Sequence, residues 1–206
     1  MNTVVSAFFL LFWINAASPA DTNSTLIAIQ SVGGKALQAL YVKYQPSGGQ
    51  AVSQMDNFMY VTGLNEAFHI NRNTLFKVTF QAGVYSSPQG PLVVQIMVND
   101  CLIIGNKVVP NTAARINYSL GTSIDIVDMW NGYQQVDSGV IGITMPFTRV
   151  AYVYLAPGVY SFNVGARSFR ARGFIEGATV TYELTQSQDA NENTIGAFPL
   201  VTTFSK

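Results

Sequence analysis

The chain has 206 residues, with 11 Lys plus Arg balancing 11 Asp plus Glu, one His, one Cys, and 49% apolar residues against 11% charged. So large an apolar share excludes a disordered chain, zero net charge argues against a protein that must neutralise nucleic-acid phosphates, and one Cys cannot build a disulfide or zinc scaffold. What remains is a globular domain whose hydrophobic core must supply its stability.

In chain order, the first feature is an apolar run from Val4 to Ile14, broken only by Ser6 and followed by small residues ending in Ser18-Pro19-Ala20. This is the shape of a secretory signal peptide, with cleavage expected after Ala20 and a mature start at Asp21. As a helix the run would reach roughly 17 Å, short of the about 30 Å of hydrocarbon that a membrane anchor spans. Export is therefore the expected fate. Asn23-Ser24-Thr25 and Asn117-Tyr118-Ser119 fit the N-glycosylation acceptor and are compatible with it.

Beyond residue 20 the dominant period is two. Strands are expected at Leu26 to Gln30, Leu37 to Tyr44, Asn57 to Val61 and Ala67 to Ile70. The clearest alternation follows, from Leu75 to Tyr85, with Phe76, Val78, Phe80, Ala82 and Val84 on one face and Lys77, Thr79, Gln81 and Gly83 on the other. Leu92 to Val98, Cys101 to Ile104, Ala114 to Leu120, Ser123 to Val127, Val140 to Met145 and Thr148 to Leu155 continue the series. Gly158 to Val164 and the Ala178, Val180, Tyr182, Leu184 face complete it.

Turn chemistry separates these runs. Asn99-Asp100 and Asn131-Gly132 favour the positive φ values of a type I′ hairpin, and Gly33-Gly34, Pro46-Ser47-Gly48-Gly49, Ser86-Ser87-Pro88-Gln89-Gly90 and Ala156-Pro157-Gly158 mark loops. No stretch carries a sustained helical stripe with caps. The expectation is all-β: an antiparallel two-sheet jelly-roll sandwich with little helix, forming one domain over residues 21–185. A polar linker starts at Gln186, and the apolar stretch from Ile195 to Phe204 within 186–206 is either a last strand or a tail that completes a partner's sheet.

The segment Ala156-Pro157-Gly158-Val159-Tyr160-Ser161-Phe162 resembles the signature strand of C1q/TNF-like jelly-roll domains, in which a Pro-Gly turn leads into a strand of alternating aromatics. Val78-Thr79-Phe80-Gln81-Ala82 and Val94-Gln95-Ile96-Met97-Val98-Asn99-Asp100 also look like strands of such domains. The resemblance implies a compact trimer whose protomers pack through aromatic sheet faces, with ligands on loops or across subunit clefts. It serves as an architectural analogy, and no functional residue is carried over from it.

A catalytic triad would need His69 as its base, yet no Gly-x-Ser-x-Gly elbow accompanies it, and apolar neighbours make Cys101 a small core thiol rather than a nucleophile or an intermolecular disulfide. No metal or cofactor is expected. Asp125, Asp128 and Asp137 are numerous enough for an oxygen-rich calcium loop but lack the EF-hand spacing. Asp125, Asp128 and Glu176 keep a carboxylate-based glycoside hydrolase as the alternative.

Two stretches stand out for binding. Trp130 and Tyr133 flank the Asn131-Gly132 turn, where two rigid rings can stack on a sugar or dock a protein. Arg167, Phe169, Arg170 and Arg172 crowd one expected connection, where guanidinium forks match an acidic glycan or acidic protein surface. The expected function is a secreted, non-enzymatic binding or assembly protein, a homo-oligomer with a trimer favoured. The other alternative is a structural subunit of an extracellular matrix or filament.

Overall fold

The computed structural model describes residues 24–32, 36–46, 48–86, 92–104, 107–112, 133–134, 144–168 and 172–187. The signal segment, the strands expected at Ala114 to Leu120 and Ser123 to Val127, the Asn131-Gly132 turn and the C-terminal tail lie outside them. Within them every regular element is a strand, and the strands form two antiparallel sheets packed face to face.

The first sheet runs β1 (Ser24–Val32), β2 (Ala36–Tyr44), β13 (Gly173–Ser187), β6 (Thr74–Ser86) and β11 (Met145–Leu155), with β3 (Gly49–Val52) also paired to β13. The second runs β4 (Met59–Tyr60), β12 (Gly158–Ser168), β7 (Leu92–Val98), β8 (Cys101–Ile104) and β9 (Lys107–Pro110). In it β5 (Glu66–Ile70) joins β12, and β10 (Tyr133–Gln134) joins β7. The chain crosses repeatedly from one sheet to the other, so neighbours in space come from distant parts of the sequence. β13 lies between β2 and β6, and β12 lies between β5 and β7. Such crossing connections between two antiparallel sheets make the sandwich a jelly roll.

Period two decides which side chains fill the interior. Phe76, Val78, Phe80, Ala82 and Val84 of β6 are buried as their alternation requires, as are Ala178, Val180, Tyr182 and Leu184 of β13 and Phe162, Val164 and Ala166 of β12. At the centre, Phe68 and Phe162 of the second sheet interleave with Tyr41, Phe76 and Tyr182 of the first, at ring-centroid separations of 4.7 to 5.8 Å. Tilted and edge-on rings at this spacing add attraction beyond the area they bury.

β7 breaks the alternation because both of its faces are covered. Val94, Ile96 and Val98 face the main core, while Val93 and Met97 join Phe58, Leu102 and Ile104 in a second apolar cluster on the outer face of that sheet. Gly165, paired with Gln95, allows this: a Cβ there would run into the Met97 sulfur and Phe58. The Asn99–Asp100 turn joins β7 to β8 with φ of 49° and 58°, the left-handed pair that a type I′ hairpin needs.

Several boundaries depart from the expected ones. β3 starts within the Gly48-Gly49 loop marker, and β9 was not anticipated because Pro110 at its end reads as a strand breaker. β11 begins at Met145, uniting the end of one expected strand with the next, and β13 continues to Ser187, past the expected domain end at 185. Cys101 is half-buried against the main core.

The buried Tyr182 hydroxyl donates to the Leu64 carbonyl at 2.8 Å. Tyr182→Phe leaves that acceptor unsatisfied and should cost about 1–3 kcal/mol. In urea unfolding the midpoint should fall with an unchanged m-value.

Candidate functional site

The residues singled out from the sequence do not converge on one described site. Trp130, Phe169 and Arg170 lie outside the described residues, as do Asp125, Asp128 and Asp137. Tyr133 is placed by its backbone in β10, paired with Val93. Arg172 is exposed immediately before β13, and His69 is exposed on β5.

Arg167 requires a correction. It was expected in a loop, but β12 extends through Ser168, and Arg167 sits inside that strand at 4% exposure. Its guanidinium lies over the Phe58 ring and donates from Nη1 to the carbonyls of Met55 and Asp56 at 3.3 and 2.9 Å. It therefore holds segment 55–58 over the outer face of the second sheet. The sequence misled because an Arg beside Arg170 and Arg172 reads as part of a solvated charge cluster, whereas strand alternation set it on an outer face that another segment covers.

Arg149 was passed over entirely. On β11 it occupies an inward position between Phe147 and Ala151 at 8% exposure, and it donates to the Ile103 carbonyl at 3.4 Å. Burial lowers its pKa from the ordinary value. The only trace in the sequence is a charge at an apolar phase of an alternating strand.

The described residues do form a polar cleft at one end of the second sheet. It has a volume of about 570 Å³ and lies between the connection from β4 to β5 and the β7–β8 turn. Tyr60, Thr62, Asn65, Asn99, Asp100 and Asn163 supply most of its polar lining, and neither Lys nor Arg is among the lining residues.

Both walls are pinned. In the first, the Val61 amide donates to the Val164 carbonyl at 2.7 Å, and the Thr62 amide to Gln50 Oε1 at 2.7 Å. Gln50 Nε2 donates to the Tyr60 carbonyl at 2.9 Å. The Leu64 carbonyl accepts from Tyr182, and the Asn65 carbonyl accepts from buried Lys43, which also pairs with Glu66 at 3.3 Å. Gly63 turns this wall with φ +80°, and a Cβ there would collide with the Pro46 ring.

In the second wall, the Asn99 amide donates to the Ser161 carbonyl at 2.8 Å, and the Ser161 amide returns a bond to Asn99 Oδ1 at 2.9 Å. Asn111 braces the turn from behind, donating from Nδ2 to Asp100 Oδ1 at 3.2 Å and to the Phe58 carbonyl at 3.0 Å. The Tyr60 hydroxyl closes the cleft by donating to Asp100 Oδ1 at 2.7 Å. Partial burial, that hydrogen bond and the Asp100 charge push the Tyr60 hydroxyl up to about 12, so it remains a neutral donor at physiological pH. Burial and the same carboxylate raise the neighbouring Cys101 thiol.

None of these cleft residues was recognised as a site from sequence. Asn99-Asp100 was legible only as a turn, and Tyr60 and Asn163 only as strand positions. Of the carboxylates named for hydrolysis only Glu176 is among the described residues, and it accepts from the Thr144 hydroxyl at 2.7 Å. Among the described residues no group of three or more His, Cys, Asp or Glu is placed to hold a metal ion. No protein-family model and no curated sequence matches the chain.

Because the folded pKa of Tyr60 lies above its ordinary 10.0, the stabilisation it provides is complete below pH 10 and is lost as pH rises through about 12. The stability difference between wild type and Tyr60→Phe should therefore be level through neutral pH and close between pH 10 and about 12, as read by urea unfolding at each pH.

Proposed function

We propose that this is a secreted, non-enzymatic binding or assembly protein that works as a homo-oligomer and recognises a glycan or protein surface. The observation that carries the assembly part is the outer face of the first sheet. Register places Val150, Thr79, Thr181 and Val42 in one cross-strand row, Tyr152, Lys77, Glu183 and Leu40 in the next, and Thr148, Gln81, Thr179 and Tyr44 on the other side.

In these rows the only charges are Lys77 and Glu183, and they neutralise one another at 2.7 Å. Three of the large side chains there are open to solvent, with Tyr152 58% exposed, Tyr44 52% and Val150 37%, while Val42 at the β2 end is buried. A broad, flat, uncharged face with exposed tyrosines has the chemistry of an interface centre rather than of a solvated sheet, where charged residues normally prevail. Its occupant on this reading is a second copy of the chain. These three rows carry no net charge to repel their own copy, and the C1q/TNF-like resemblance implies packing through such sheet faces.

The outer face of the second sheet offers no equivalent surface, since segment 55–58 covers part of it and β7 is buried on both sides. Export rests on the N-terminal segment.

Light scattering of the protein secreted from a eukaryotic host should give a dilution-stable trimer whose mass is unaffected by reductant, and N-terminal sequencing should begin at Asp21. Val150→Asp with Tyr152→Asp places two carboxylates in the face and should yield a monomer with an unchanged β circular dichroism spectrum. A wild-type monomer at micromolar concentration would refute the assembly.

A further inference from the structure

The geometry points to the cleft between residues 60–65 and the Asn99–Asp100 turn as a binding site for a neutral saccharide. This deepens the recognition half of the reading above by naming its place and ligand class. It does not depend on the assembly half.

The first observation is Asn163. Its neighbours Phe162 and Val164 face the main core, so the period-two rule turns Asn163 to the opposite side of the sheet, where it lines the cleft. It is only 7% exposed, yet among the described residues no group hydrogen-bonds its side-chain amide. The enclosed polar side-chain atoms without a hydrogen-bond partner lie on other residues, so the Asn163 amide reaches solvent through the cleft and is open to a ligand there. Here the open side of the residue is the cleft itself.

The second observation is the donor set around it. Asn65, Asn99 and Asn163 contribute amides, each able to donate and to accept, and Thr62 and Ser161 contribute hydroxyls. Asp100 keeps Oδ2 as an acceptor, because Tyr60 and Asn111 both bind Oδ1. Vicinal sugar hydroxyls also donate and accept at once, and paired amide and carboxylate groups meet both needs. Tyr60, 46% exposed, supplies the aromatic surface on which the apolar C–H face of a pyranose stacks.

Charge selects within this class. With one carboxylate and no Lys or Arg in the lining, the cleft repels phosphate, sulfate and uronate groups, so a neutral sugar fits better than an acidic one. The cleft's about 570 Å³ lies within the usual range for small-ligand sites. The walls are held by hydrogen bonds to the side chains of Lys43 in β2, Gln50 in β3 and Tyr182 in β13 and to the backbone of β12, so little ordering opposes binding.

The test is a glycan array carrying neutral and acidic glycans, probed with the secreted full-length product. Isothermal titration with methyl α-mannoside, galactose and N-acetylglucosamine then follows, with and without EDTA. Neutral glycans should be retained and EDTA should have no effect. Asn163→Asp and Tyr60→Ala should each weaken binding by about tenfold or more. Asn65→Ala, at an exposed position that cannot disturb the core, should weaken it by about threefold with an unchanged melting curve.

No retention of any neutral glycan, retention of acidic glycans alone, or loss of binding in EDTA would each overturn the assignment. So would neutral-glycan binding that all three substitutions leave within about twofold. A monomer that binds neutral sugar through Asn163 would remove the assembly reading and leave this one standing. An oligomer that binds none would do the reverse.

Discussion

The interleaved rings of Phe68, Phe76, Phe162 and Tyr182 are the contact on which the rest of the structure depends. Each sheet contributes two of them, so neither sheet can slide without losing edge-on and tilted ring contacts that small side chains could not replace. Tyr182 extends this constraint outward. Its ring belongs to the cluster, while its hydroxyl, held protonated by burial, reaches the Leu64 carbonyl and so ties the wall of the cleft to the centre of the core. Lys43 does the same from the edge of the cluster, joining β2 to the Asn65 carbonyl and to Glu66 on β5. The polar cleft is rigid because its wall is anchored from the apolar side.

The two outer faces of the sandwich have opposite fates, and this asymmetry organises the functional reading. On the second sheet, Gly165 removes a side chain so that Phe58 and Met97 can close over the strands, and Arg167 holds the covering segment by its backbone carbonyls. A cation in that position serves folding, and its long apolar stem suits a partly apolar surface. On the first sheet, β6, β11 and β13 present Thr, Tyr and Val outward, with one neutralised ion pair and, at Glu176, a carboxylate that accepts from Thr144. One face is therefore covered within the chain, while the other is the face proposed for assembly. The cleft proposed for saccharide lies on the second sheet, so the proposed assembly through the first sheet would leave it accessible.

Much of the fold was legible wherever one face of a strand met the core. β6 and β13 followed their alternation residue by residue, and the Asn99–Asp100 turn took up the two left-handed conformations that its sequence favours. Legibility failed where Gly, Pro or charged residues sit inside or beside a strand, as Gly49 does in β3, Pro110 in β9 and Arg167 in β12. β12 continued into a stretch whose arginines read as solvated. The cleft was less legible still. Its residues come from positions 60–65, 99–100 and 161–163, and nothing in their spacing marks them as neighbours.

The sequence by itself determined the all-β class, the inward residues of the long strands and the turn between β7 and β8. These follow from local sterics and from the two-residue period that a strand with one buried face must obey. Only the tertiary structure decided that β13 inserts between β2 and β6, that Arg167 is buried under its own chain, and that Asn163 faces a cleft with no partner for its amide. Those outcomes depend on which distant strand lies alongside and which segment covers a face. Pairing across a hundred residues is fixed by packing of the whole sandwich rather than by any local pattern.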